Sequence, residues 1–179
     1  MKRGYEMENV THPIGALEVP VNPTLEDVKG WLAQTETYTT RLRETLAGIT
    51  EEDYQKTYRE GAWNVRQLVH HITDSQLNMY QRLRLALTDD FPTVPAFDEN
   101  KWAVLPDTEL DVEPSIKMLE GINERLVALG KTITEEQLKR GFIHAVNGEV
   151  LVGTKLKKLA WHEEHHLAHI QIALGKWEA

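Results

Sequence analysis

The sequence predicts an all-α protein, a single four-helix bundle with long connecting loops. Three observations predict it. Four stretches place apolar residues at helical spacing, with polar residues between them. Each stretch is bracketed by residues that start or stop helices. The chain has 179 residues and a hydrophobic share of 41%, which suffices for one domain with one core.

Residues 1–23 scatter Pro and Gly without periodicity and read as an extended N-terminal arm, leaving 24–179 as one helical-bundle domain. Thr24 precedes Leu25-Glu26-Asp27, an N-cap followed by acidic first-turn residues that suit the helix dipole. The first helix runs from there to about Ala47, with Val28, Trp31, Leu32, Thr35, Tyr38, Leu42 and Leu46 on one side. The second fits Trp63 to Leu87 and faces inward through Val65, Leu68, Val69, Ile72, Met79, Leu83 and Ala86. Residues 88–112, with three prolines and many acids, read as a long irregular connection of the kind that often carries function. The third helix starts near Glu113-Pro114, where proline suits a first helical position, and stops at Gly130. Phe142 to Val152 has the look of a short hairpin turning at Asn147-Gly148. The fourth helix fits Thr154 to Leu174, closed by Gly175.

Composition narrows the function. A formal charge of -8 argues against nucleic acid and anionic membranes as partners, since both select a basic face. No run reaches the length of a transmembrane helix, and the start of the chain lacks the apolar core of a signal peptide. The absence of cysteine excludes disulfides, thiolate metal sites and a cysteine nucleophile. The expectation is a cytoplasmic protein acting on a small molecule, with any metal held by nitrogen and oxygen.

The fourth helix concentrates the chemistry. His162, His165, His166 and His169 are four of the eight histidines and lie within eight positions. Residues four apart stack on one helix face, so His162 and His166 aim at one point, as do His165 and His169. Placed at about 100° per residue, Leu156, Leu159, Leu167, Ile170, Ala173 and Leu174 define the apolar arc. Glu163 falls near its middle, His166 at its edge and His162 just beyond, while His165 points towards the polar side. His162 and His166 are therefore the chosen pair. A third nitrogen comes from His70-His71 on the second helix, where His71 flanks the apolar arc and His70 points more nearly away. The margin between those two is narrow. Three protein ligands with an open position match catalytic rather than structural zinc. Asp74, one turn past His71, is a candidate acceptor for a ligand's other ring N–H.

The plain alternative makes these histidines residues at the border of core and surface. That reading suffices for a lone histidine, such as His12 or His144, to which no role is assigned. It is strained by four in eight positions plus a pair on another helix. His162-Glu163-Glu164-His165-His166 also satisfies H-E-x-x-H, in which the glutamate is a general base. The extended form needs a histidine where this chain has Ile172, and the sole downstream carboxylate is Glu178, so the match is treated as coincidental. Trp63 and Trp161 are read as core-packing residues, with walling a pocket as the lesser alternative. Arg66 and Lys157-Lys158 face either an anionic substrate or solvent.

Trp63-Asn64-Val65-Arg66-Gln67-Leu68-Val69-His70-His71-Ile72-Thr73-Asp74-Ser75, with Trp161-His162-x-x-His165-His166-x-x-His169-Ile170, resembles the DinB/YfiT family of helical-bundle proteins. The likeness extends over most of the chain, including Asp98 to Asp107, and leaves out only the first twenty or so residues. It implies an up-down-down-up bundle and one divalent metal per chain, zinc first and nickel second, on His71, His162 and His166. Members usually lack an acid after the first helix-four histidine, so Glu163 gains nothing as a shared base. The resemblance implies a homodimeric enzyme, a metal-dependent hydrolase of the YfiT type acting on a small molecule. The alternative it implies is an S-transferase using a low-molecular-weight thiol of the bacillithiol type. A third reading, from another class, is a non-catalytic metal-binding stress protein with a closed site, His169 or Glu163 supplying the fourth ligand.

Overall fold

Four long helices carry the fold in the computed structural model, which describes residues 10–178. They are α1 (Leu25–Leu46), α2 (Val65–Thr88), α3 (Glu113–Gly130) and α4 (Val152–Ala173). Of the expected arm, residues 1–9 lie outside the described residues.

Local chemistry sets the helix ends. The Thr24 hydroxyl accepts from the Asp27 backbone N–H, and Asp27 Oδ2 accepts from the Thr24 backbone N–H at 2.8 Å, a reciprocal cap that starts α1. Asn64 and Gln67 do the same for α2, at 2.8 and 3.1 Å. That cap corrects the expected start at Trp63, because Asn64 takes the cap position and leaves Trp63 outside the helix. α3 carries Pro114 in its first turn, where a missing N–H costs no helical bond. α4 starts two residues before the expected Thr154, leading straight out of a strand at Val152.

The helices form a ring in which α1 and α2 each pack against both α3 and α4. Consecutive helices α1 and α2 thus lie diagonally, as do α3 and α4. Core membership gives the directions. One apolar cluster joins the first half of α1 (Val28, Trp31, Leu32), the last half of α2 (Met79, Leu83, Ala86), the last half of α3 (Ile122, Leu126) and the first half of α4 (Leu156, Leu159). The other joins the opposite halves: Tyr38 and Leu42, Leu68 and Ile72, Ile116 and Leu119, Leu167 and Ile170. Only an up-down-down-up arrangement brings those halves together. Between the clusters each helix contributes a buried polar residue: Thr35, Gln76, Asn123 and Glu163.

The all-α expectation holds for the body of the molecule, with one addition. A three-stranded sheet packs at one end, ordered β1 (Thr93–Val94), β2 (Gly141–His144) and β3 (Gly148–Leu151). β2 and β3 are the expected hairpin, and Gly148 has φ +72 at its turn. β1 pairs in parallel with β2, Thr93 opposite Ile143. The 88–112 connection is accordingly not irregular throughout. It holds β1, a helical turn at Glu99–Trp102 and a 3-10 turn at Pro106–Glu109. Two residues are too few to show a period-2 pattern, so the strand exists only through its distant partner. Among the described residues no helix is long and apolar enough to cross a membrane.

Candidate metal centre

The histidines lie where α2 and α4 pack side by side, at the level of the polar layer that divides the core. His71, on α2, faces His162 and His166, one turn apart on α4. One ligand atom from each lies within 4.8 Å of the other two. His71 Nε2 and His162 Nε2 are 3.3 Å apart. A tetrahedral zinc with Zn–N of about 2.0–2.1 Å has ligand-to-ligand edges of roughly 3.3–3.4 Å. The spacing therefore fits an ion held between the rings.

The rings are in the protonation state that ligation needs. Burial pushes His71 down to about 4. His162 and His166 are held well below the usual histidine range by burial and then by each other's neighbouring rings. All three are neutral near pH 7, with a lone pair free for an ion. Asp74 does not serve as their acceptor. No hydrogen bond joins its carboxyl to a histidine among the described residues, and His162 Nδ1 is buried without a partner. Burial and the nearby Asp107 charge raise the Asp74 carboxyl to about 6.

The remaining histidines are separated by their partners. His70 has both ring nitrogens occupied, Nδ1 by Ser115 Oγ at 2.7 Å and Nε2 by the Leu110 carbonyl at 3.2 Å. This distinguishes it from His71 far more sharply than helical facing does. His165, His166 and His169 form a second group of the same compactness, sharing His166 with the first. Within it, His169 stacks on Tyr58 at 3.9 Å and its Nε2 lies 3.3 Å from the Thr11 carbonyl. His165 stacks on Trp161 at 4.5 Å. His12 is exposed, with its ring 6.0 Å from that of His165.

Glu163 turns away from this site. It is 1% exposed, and its Oε1 accepts from Asn123 Nδ2 at 2.7 Å. Asn123 Oδ1 in turn accepts from Gln76 Nε2 at 2.8 Å. Burial drives the carboxyl up to about 8, which leaves it a neutral acid near pH 7. The H-E-x-x-H pattern therefore has its glutamate on the wrong side of the helix for a base at the histidines.

A cavity of about 530 Å³ opens onto the triad. Trp63 and Trp161 wall it beside the histidines, the lesser of the two roles weighed for them. Its lining also holds Arg82, Lys155, Lys158 and His144, the last brought in by β2. His144 Nδ1 also accepts from the Val146 and Asn147 backbone N–H groups, both at 3.2 Å, which ties the hairpin turn to the cavity wall. Sequence reasoning passes over Arg82, Lys155 and His144. The spacing Lys155, Lys158, His162 is nonetheless a signal, because i, i+3 and i+7 share one helix face. Of Arg66, Lys157 and Lys158, only Lys158 reaches the cavity. Arg66 pairs with Glu51 and donates to the Leu110 carbonyl at 2.9 Å, while Lys157 lies over the Trp31 ring at 5.8 Å.

Comparison with known proteins agrees with this fold. The family profile described as DinB superfamily matches residues 34–170. A protein of Oceanobacillus iheyensis named "Putative metal-dependent hydrolase" is 66% identical over 167 residues, covering 93% of this chain and 96% of its own. One of the same name from Halalkalibacterium halodurans is 41% identical, covering 91% and 95%. Among solved structures, YfiT from Bacillus subtilis superposes with a TM-score of 0.88 at 32% identity, covering 95% of this chain and 99% of that one. That structure is described as "a probable metal-dependent hydrolase with an unusual four-helix bundle topology".

Proposed function

This chain belongs to the DinB superfamily, and on that premise we propose that it is a metal-dependent enzyme, a hydrolase of the YfiT type. One divalent ion is held by His71, His162 and His166. The observation that carries the reading is the convergence of three neutral imidazoles, within 4.8 Å of one another, on the wall of a cavity large enough for a small molecule. An all-nitrogen donor set suits zinc first and nickel second. The ion, when bound, supplies Lewis acidity, polarising a carbonyl-type group and acidifying a nucleophile beside it.

The chain's own residues do the rest. The three histidines occupy one side of the centre and leave the cavity side for substrate. Ser75 Oγ lies 3.4 Å from His71 Nε2, one turn along the same face, and lines the cavity beside it. Trp63, whose ring centre is 4.5 Å from that of His71, screens the triad from bulk water.

One observation favours a second reading, transfer to a low-molecular-weight thiol. No carboxylate stands beside the triad, because Glu163 points into the core and Glu99 is the only acid among the described residues lining the cavity. A thiol acidified at the centre needs no protein base to become a nucleophile, whereas hydrolysis commonly uses one. With no cysteine in the chain, that thiol arrives with the cofactor.

The test is metal content followed by a paired assay. Purified protein should carry about one zinc or nickel ion per chain, and lose it in His71→Ala, His162→Ala and His166→Ala variants. The metal-loaded protein is then offered ester and amide substrates, and separately an electrophile with a small thiol. Turnover without thiol supports the hydrolase, and strictly thiol-dependent turnover supports the transferase. Absence of bound metal and of zinc or nickel uptake overturns both.

A further inference from the structure

Several of this protein's basic side chains are neutralised locally. Arg41 pairs with Glu164, Arg43 with Glu113 and Glu120, Arg66 with Glu51 and Lys131 with Glu36. The three that line the cavity are not. Among the described residues Arg82, Lys155 and Lys158 take part in no ion pair, although the chain carries a net charge of -8. Arg82, 8% exposed, donates from Nη2 to the Pro95 carbonyl at 2.6 Å and lies 6.0 Å from the Phe97 ring centre. Lys155, 4% exposed, has Nζ 5.3 Å over the Phe142 ring and no hydrogen-bond acceptor among the described residues.

Burying basic groups together without a counter-charge is costly. The cost is visible in Lys155, which burial pushes down to about 7, with Lys158 and Arg82 repelling its proton further. Burial, and after it Arg82, Lys155 and Lys158, disfavour a proton on His144. Snorkelling of a long stem into solvent relieves such cost at a surface. Here three basic residues instead line one cavity that the histidine triad also lines.

We propose that this cavity binds an anionic small molecule, its carboxylate or phosphate group seated on Arg82, Lys155 and Lys158 and its reacting end at His71, His162 and His166. Helix geometry sets the length of the ligand. Lys158 and Lys155 precede His162 by four and seven residues on one face of α4, which is roughly 6 and 10 Å of rise. The anionic group is therefore several bonds from the reacting atom. The position of the reacting end rests on the metal-centre reading above, whereas the anion site rests on the cationic wall alone.

The test uses succinate and inorganic phosphate as probes, titrated into the purified full chain at fixed ionic strength and followed by calorimetry. Metal content is measured on the same samples. Saturable binding is expected, weakened at least about tenfold by Lys155→Met and by Lys158→Gln, and unchanged by Lys157→Gln. Lys158 is half-buried, so its variant remains informative if Lys155→Met fails to fold. The His162→Ala variant is expected to lose metal yet keep binding within a few-fold. A preference between the probes identifies the group as carboxylate or phosphate. Failure of both probes to bind, or binding in both lysine variants as tight as in wild type, overturns the proposal. So does loss of binding in His162→Ala, which would make the metal the anion's only partner. Lysine-dependent binding to a protein that takes up no metal would leave this site standing and remove the metal-centre reading alone.

Discussion

His71 Nε2 on α2 and His162 Nε2 on α4 face each other across 3.3 Å, joining two helices that are neighbours in the ring but distant in the chain. Two neutral imidazoles in this relation share one proton or one ion. If they share an ion, His71→Ala, His162→Ala and His166→Ala should each weaken zinc binding by more than roughly 100-fold, the upper end for loss of an outer partner. His165→Ala and His70→Ala should each retain about one ion per chain. His70→Ala should instead cost about 1–3 kcal/mol of stability, because it strands its partners Ser115 Oγ and the Leu110 carbonyl. Competition with a chromophoric chelator reads the first effect, and urea unfolding the second. Equal damage from His165→Ala would move the centre to the His165–His166–His169 group.

The polar layer gives a separate prediction. Glu163 hydrogen-bonds Asn123 inside the bundle and does not line the cavity. Glu163→Gln, which preserves shape and the acceptor, should therefore keep metal and turnover near wild type. Asn123→Ala should destabilise by about 1–3 kcal/mol, since it removes the partner of both Glu163 and Gln76. A metal-loaded Glu163→Gln protein without turnover would restore Glu163 as the base that the H-E-x-x-H pattern suggests.

Much of this organisation is legible in the order of the amino acids. Spacing at 3.6 residues marks out the four helices, and the inward residues named for α1, from Val28 to Leu46, are all buried. The same arithmetic puts Glu163 in the apolar arc and His162 with His166 at its edge. What it does not yield depends on contacts between distant segments. Thr93-Val94 becomes a strand only against β2, and β2 is what brings His144 to the cavity. Lys157 and Lys158 are adjacent in sequence, yet a rotation of about 100° sends one to Trp31 and the other to the cavity. His70 and His71 are separated by Ser115 and Leu110, which belong to another helix and a loop.

Two glycines outside the metal centre predict unequal costs. A Cβ on Gly141, in β2, would come within 2.6 Å of the Val150 carbonyl oxygen, a backbone atom of the paired strand. A Cβ on Gly130 would meet Leu32 Cδ2 at the same distance, but that is the end of a flexible side chain. Gly141→Ala should therefore cost the more, about 1–3 kcal/mol, and Gly130→Ala less. Urea midpoints of the two variants provide the comparison. A Gly130→Ala protein that is the weaker of the two would show that Leu32 has no room to move.

Lys155 makes stability depend on pH in a direction opposite to that of a paired lysine. Its folded pKa is about 7 against 10.5 in the unfolded chain. Below pH 7 both states hold the proton, and the full penalty of burying the ammonium is present. Between 7 and 10.5 the unfolded chain holds a proton that the folded chain has released. Stability from this residue therefore rises with pH across that window, by up to ~1.4 kcal/mol per unit. The groups facing it are Lys158 on its own helix, Arg82 on α2 and His144 on β2, with Glu99 across the cavity. Burial holds His144 below the usual histidine range, so it is neutral throughout. Lys155→Met should remove this rise and make the protein more stable than wild type near pH 6.5. An anion in the cavity favours the protonated lysine, so succinate should stabilise wild type more at pH 6.5 than at 9.5 and lose that pH dependence in Lys155→Met. Urea unfolding of both proteins at intervals from pH 6.5 to 9.5 checks each part. Identical pH slopes would mean that the Lys155 ammonium reaches solvent and keeps its proton, which removes the burial penalty on which this prediction rests.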